Sequence, residues 1–318
     1  MNKVKLSLLT VFILVLFMTT TAAYAVPRLP SGPTYKDVVV AVADNEGEAF
    51  ELRTNIYLPE EESAEPWPLV LFIHGNGGAY NFANGSRSYE FSIALADRGI
   101  AVATIDYRHE AGLPENVHDV KAYVRYFRAH ADEYNIDPDR IAVWGTSRGG
   151  HLAAMLATTG DVKELEGDVG GNLNQSSCIQ AAVIYYPYTD IFLYDDPSNI
   201  LKIVFGLKED EVDDVLEAKE NHDTSSPYWK YVEAAELVNP MNYISDDDPP
   251  ILIATGGHDE VTPLNHSTEL FYKYLEHGLD ASLYVWAPGV HGRVGTHIEA
   301  ASSEWIVNKL LVDLAAKK

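Results

Sequence analysis

A serine stands where a strand pattern meets a helix pattern, in Gly145-Thr146-Ser147-Arg148-Gly149-Gly150. The apolar run IAVWG leads into it and HLAAMLATT follows it. G-x-S-x-G in that setting reads as a nucleophile elbow. So tight a turn forces Ser147 into a strained backbone conformation and needs small flanking residues, because neighbouring backbone passes close by. It lifts the hydroxyl above the sheet and aims the next backbone N–H, that of Arg148, at a reacting carbonyl. A serine hydroxyl is a weak nucleophile and needs a base to take its proton.

Three further clusters follow strand-like runs. His74-Gly75-Asn76-Gly77-Gly78 closes PLVLFI, and its glycines let backbone N–H groups approach an oxyanion, each such donor being worth ~3 kcal/mol. His74 precedes the serine and reads as a loop brace rather than a base. Gly257-His258-Asp259-Glu260-Val261-Thr262-Pro263 follows PILIAT and offers a carboxylate to orient an imidazole; Glu260 is the rival to Asp259. Gly289-Val290-His291-Gly292 follows LYVWA. Of the eleven histidines, His291 alone lies in a loop directly after a strand downstream of Asp259. His297, its nearest rival, reads as a surface residue at a helix start. The chain order Ser147, Asp259, His291 is one in which such triads occur.

The elements that must hold these residues alternate along the chain. Residues 36–43 and 49–58 form a hairpin pattern around Asn45-Glu46-Gly47. Short apolar runs at 68–74, 100–106, 140–145, 179–186, 250–255 and 281–287 suit strands covered on both faces. Residues 116–134 set Val117, Val120, Val124, Phe127 and Ala131 on one helical stripe, and 265–277 and 296–316 are similar. Gly278 is placed to end the first of these two. The pattern predicts one α/β domain over residues 26–318, a mostly parallel eight-stranded sheet with helices on both faces. Regular alternation stops at 187–248, where aromatic loops and acidic helical pieces suggest a lid-like insertion that walls a pocket.

The run Asn116–Val120, through Asn135–Arg140, to Gly145–Ala153 resembles the α/β-hydrolase esterases. It is most similar to the branch of bacterial acetyl, xylan and feruloyl-type carboxylesterases, and residues 248–263 resemble that branch's acid loop. The resemblance covers roughly residues 50–310. It implies the α/β-hydrolase fold, with Ser147 as nucleophile, His291 as general base and Asp259 as orienting acid. It also implies oxyanion donors on Arg148, Asn76 and Gly77, and ester hydrolysis through an acyl-enzyme without metal or organic cofactor. Two positions depart from the family pattern: H-G-N-G-G-A-Y stands for H-G-G-G-aromatic, and Arg148 takes a position more often held by Ala. A structural ion pair is expected for Arg148, with contact to an acidic substrate group as the other reading.

The first 25 residues read as a secretory signal peptide. Lys3 and Lys5 precede the apolar run Leu6–Met18, and Ala23-Tyr24-Ala25 is a small-x-small cleavage site. A run of thirteen residues is too short to span a bilayer. A periplasmic or secreted product, free of the membrane, is therefore expected. A net charge of −24 argues against nucleic acid as a partner, and the single cysteine, Cys178, excludes a disulfide framework within the chain. Residues 190–248 hold 16 acidic and 4 basic residues, a field that, where it reaches the site, repels anionic esters. The expected partner is a small or carbohydrate-linked ester. The competing functions are a prolyl-type serine exopeptidase, a lipase, and a non-catalytic binding scaffold.

Overall fold

The structure, a computed structural model, describes residues 32–45, 47–61, 63–75, 86–108 and 113–314, with residues 86–90 described by backbone alone. The expected signal peptide lies outside the described residues. Among them, no helix is long and apolar enough to cross a membrane.

Eight strands form one sheet: β1 (Tyr35–Asn45), β2 (Glu48–Tyr57), β3 (Trp67–Ile73), β4 (Ala101–Ile105), β5 (Ile136–Thr146), β6 (Ala181–Tyr185), β7 (Ile251–Gly256) and β8 (Ala281–Trp286). Their order is β1-β2-β4-β3-β5-β6-β7-β8. β1 pairs antiparallel with β2, and β2 with β4. All remaining pairings are parallel. This is the α/β-hydrolase fold that the resemblance implies.

Side chains alternate across a strand, so the continuous apolar runs feed two cores. Leu69, Leu71, Ile73, Ile141 and Val143 join the core on one face, with Val120, Val124, Leu152 and Met155. Val70, Phe72, Ala142 and Trp144 join the other, with Leu95, Ile298 and Ile306. The helices that cover these faces are α1 (Ser86–Ala96), α2 (Glu115–Ala129), α3 (Ala131–Tyr134), α4 (Arg148–Thr158), α8 (Leu264–Glu276) and α9 (Thr296–Asn308). Between β6 and β7 run α5 (Ser198–Phe205), α6 (Glu209–Glu220) and α7 (Trp229–Leu237), within the expected insertion.

The structure departs from the sequence reading in several places. β8 is an edge strand, so it is not covered on both faces: Tyr284 and Val285 are exposed. The helix expected over 116–134 breaks at His130, which leaves the helical conformation (φ −109°, ψ 21°) with its ring stacked 4.3 Å from Tyr126. The one expected over 296–316 stops at Asn308 and continues as a wider turn, Lys309–Asp313. α5 is apolar rather than acidic, with the sequence SNILKIVF.

Candidate active site

The elbow is built by contact between backbones. Ser147, between β5 and α4, sits at φ 56° and ψ −119°, a conformation that costs an L-residue of order 1–3 kcal/mol. Its N–H donates to Tyr185 O at 3.0 Å, tying the turn to the end of β6. A Cβ at Gly145 would lie 1.9 Å from Gly149 O, and one at Gly149 would lie 2.2 Å from Ile73 O. The glycines flanking Ser147 are thus a steric requirement of the turn.

The structure brings Ser147, His291 and Asp259 into one hydrogen-bonded line. Ser147 Oγ donates to His291 Nε2 at 3.0 Å. His291 Nδ1–H donates to Asp259, 2.9 Å from Oδ2 and 3.1 Å from Oδ1. Asp259 follows β7, and its side chain is fully buried beside the half-buried imidazole. Burial alone pushes this carboxyl up. Hydrogen bonds from His291 and from the N–H groups of Thr262 and Val261 outweigh it and hold the group below the usual carboxylate range. Asp259 is therefore ionised and positioned to hold the imidazole with Nε2 free to accept a proton. Glu260 points out to solvent and His297 is exposed on α9, so neither rival joins this line.

Two residues that sequence reasoning did not single out complete the surroundings. Thr262 Oγ1 lies 3.1 Å from Asp259 Oδ2, 3.0 Å from Tyr186 O and 3.3 Å from His291 Nδ1. The Tyr186 ring meets the His291 ring edge-on, with centroids 5.0 Å apart. A local signal existed for Thr262. An Asp whose carboxylate accepts the N–H groups two and three residues on is an Asx-type turn, which returns a side chain at the third position to the carboxylate.

Arg148 is the first residue of α4, and a helix leaves its first N–H groups without an intrahelical acceptor. That N–H and the positive end of the helix dipole suit a developing oxyanion beside Ser147. The other expected donors, Asn76 and Gly77, lie outside the described residues. His74, at the start of that glycine run, is buried between Asp106 (Nε2 to Oδ1, 3.2 Å) and Gly75 O (2.7 Å from Nδ1), stacked on Tyr107. Tyr107 Oη lies 3.2 Å from the carbonyl oxygens of both His74 and Gly75 and shares its one proton between them. The histidine is a brace, as its place before the serine suggests. The buried Arg148 side chain hydrogen-bonds Asn116 Oδ1, with its guanidinium 5.8 Å from the Tyr107 ring centre.

Ser147 opens onto a cavity of about 430 Å³. Arg148, Tyr188 and Thr262 line its inner side, while Ile200, Ile203 and Val204 of α5 form an apolar wall. Helix α5 thus gives the insertion a direct place at the site. Asp196 and Glu260 add carboxylates to the lining. Most of the insertion's acidic residues lie elsewhere, seven of them on α6. A second cavity of about 400 Å³, with aromatic walls from Phe72, Phe91 and Trp144, adjoins Thr146, Tyr186 and Gly292. Among the described residues, no group of three or more His, Cys, Asp or Glu side chains could hold a metal ion.

Comparison with known proteins places this geometry in context. The BD-FAE family profile matches residues 54–274. The chain is 27% identical over 194 residues to the probable carboxylic ester hydrolase LipM of Mycobacterium tuberculosis, covering 60% of this chain and 41% of that one. It is 26% identical over 245 residues to esterase LipC of the same organism, covering 75% and 56%. The chain spans about half the length of these curated relatives. Among solved structures, a truncated carbohydrate esterase from gut microbiota superposes with a TM-score of 0.70 at 26% identity, covering 87% of this chain and 99% of that one.

Proposed function

Since the chain belongs to the BD-FAE family and carries Ser147, His291 and Asp259 in hydrogen-bonded line, we propose that it is an exported serine carboxylesterase. Its substrates are short-chain or aryl esters, including acetyl or feruloyl groups on carbohydrates. The observation that carries this reading is the 3.0 Å contact from Ser147 Oγ to His291 Nε2 at the wall of an open cavity. The likeness to a carbohydrate esterase supports the sugar-linked part, and the layout of residues 1–25 supports export.

In this mechanism Ser147 Oγ attacks the ester carbonyl carbon as its proton passes to His291 Nε2. Asp259, held ionised by the N–H groups of Val261 and Thr262 and by His291, stabilises the imidazolium. The carbonyl oxygen becomes an oxyanion that accepts from Arg148 N–H and from backbone N–H groups of the Asn76–Gly77 stretch. The tetrahedral adduct collapses and the C–O bond to the alcohol breaks, the alcohol leaving with the proton from His291. Water then gives a proton to His291 and attacks the acyl-enzyme, releasing the acid and restoring Ser147. Asp259 accepts no proton at any step.

Hydrolysis of chromogenic acetate, butyrate and long-chain esters tests this reading, alongside methyl ferulate, acetylated xylan and a proline amide. Ser147→Ala serves as the control. Turnover of acetate or ferulate well above that control is expected. A wild type no faster than Ser147→Ala on every substrate defeats the proposal. Preference for long acyl chains or for the proline amide redirects it to a lipase or an exopeptidase. Sequencing the N-terminus of exported protein, expected at Val26, tests the secretory part.

A further inference from the structure

We infer that Thr262 is a positioning residue whose hydroxyl proton turns from Asp259 to the Tyr186 carbonyl as positive charge forms on His291. The inference rests on the serine-esterase reading and extends it to a residue outside the triad.

The argument begins with a count. An ionised carboxylate has about four acceptor sites. Asp259 meets four donors: Val261 N–H at 3.0 Å, Thr262 N–H at 2.9 Å, His291 Nδ1–H at 2.9 Å and Thr262 Oγ1 at 3.1 Å. The two backbone donors are fixed by the turn after β7. His291 must keep its bond to remain oriented. Thr262 Oγ1 has a second acceptor within reach, Tyr186 O at 3.0 Å. It carries a single proton, so it serves one acceptor at a time.

The geometry around Tyr186 favours this exchange. Tyr186 holds a positive φ of 36°, and its N–H donates to Ala254 O at 2.7 Å, so the residue is anchored to β7 independently of Thr262. Thr262 is buried, which limits competition from water. Oγ1 also lies 3.3 Å from His291 Nδ1. Nδ1 bears a proton in both charge states, and an oxygen lone pair, which faces the imidazole once the hydroxyl proton points to Tyr186 O, attracts it more strongly when the ring is positive.

The two orientations therefore suit two charge states. With His291 neutral, the hydroxyl shares the charge of Asp259. Once His291 has taken the serine proton, a rotation about the Cβ–Oγ1 bond frees one acceptor site on Oδ2 and leaves its charge to the imidazolium. The hydroxyl stays hydrogen-bonded throughout, so no buried donor is stranded. An interaction stronger in the transition state than in the ground state raises kcat rather than lowering KM. Among the described residues, the charged and titratable groups around His291 are Asp259 and the edge-on Tyr186, with Arg148, Asp196, Lys202 and Glu260 lining the adjoining cavity.

The test compares Thr262→Ser with Thr262→Ala, which differ by the hydroxyl alone, and uses Thr262→Val to keep the side-chain volume. Two readouts are taken: kcat and KM on a chromogenic acetate, and the downfield proton resonance of His291 Nδ1–H in free enzyme. Roughly tenfold lower kcat, the rate equivalent of losing the Oγ1 contact to the charged Nδ1–H, is expected in the Ala and Val variants at similar KM. Ser should recover the rate, and the resonance should move in Ala and Val but return in Ser. Equal kcat in the Ser and Ala variants, or a resonance indifferent to the hydroxyl, overturns the assignment. Because the resonance needs no substrate, a wild type that turns over no ester defeats the esterase reading separately.

Discussion

Gly149 lies so close to Ile73 that a Cβ on it would stand 2.2 Å from the Ile73 carbonyl oxygen and 2.4 Å from that of His74. The first turn of α4 and the end of β3 therefore touch backbone to backbone. This contact brings the serine and the start of the glycine run together. Gly149→Ala must push strand and helix apart. A stability loss of roughly 3–5 kcal/mol is expected, in the range reserved for buried clashes. Urea unfolding of the variant within about 1 kcal/mol of wild type contradicts the steric account.

Asp259→Asn tests the electrostatics of the triad with little change of shape. An amide accepts the Val261 and Thr262 N–H bonds through its oxygen but turns an NH₂ toward His291, favouring the wrong tautomer. On the serine-esterase reading, kcat should fall by about 10⁴. KM for a short ester should change little. Steady-state kinetics in which KM rises while kcat holds would point instead to a binding role.

Acid stability should follow two buried imidazoles. His151 and His266 are fully buried, and burial pushes them down to about 3 and about 4. Both titrate near 6.5 when unfolded, so the unfolded chain binds the extra protons. Stability from these groups is present above about pH 6.5 and is lost on acidification toward pH 4, at about 1.4 kcal/mol per pH unit for each. Asp248, pushed up to about 6 by burial, works the other way: its contribution fades as pH rises through that value. His266→Asn, whose oxygen can keep the 3.1 Å bond from Thr189 N–H, should shrink the stability difference between pH 7 and pH 5 by roughly 2 kcal/mol. Denaturation midpoints with unchanged pH sensitivity rule this out.

Charge at the cavity should discriminate between substrates. Asp196 and Glu260 line the space next to Ser147, and both are exposed enough to be screened by salt. Asp196→Asn with Glu260→Gln should raise kcat/KM for a chromogenic hemisuccinate about threefold at low ionic strength, relative to the neutral acetate. The gain should vanish near 1 M salt. A ratio that ignores both substitutions and salt rules out an electrostatic filter there.

The central strands and the elbow were legible because their constraints are local. PLVLFI and IAVWG are continuous apolar runs since both faces of β3 and β5 are covered, and the glycines around Ser147 answer to contacts within one turn. Asp259 and His291 were found because each directly follows a strand. Thr262 was passed over because its partner Tyr186 O lies 76 positions away, and a carbonyl leaves no trace in a residue's identity. The apolar helix α5 was hidden in a stretch dominated by acidic residues on α6, so its place at the cavity depended on tertiary packing. β8 differs from its neighbours by position in the sheet, which a run of apolar residues does not encode.

The position of β8 sets how the protein wears out. Ser147 is anchored between central strands, but His291 hangs from a loop beyond the edge strand, where Tyr284 and Val285 already meet water. Fraying begins at such margins, at a free-energy cost below that of global unfolding. On warming, a molecule can therefore lose the contact of His291 with Ser147 while Ser147 and both cores stay in place. Inactivation then precedes melting, and brief heating is forgiven as soon as the margin closes again.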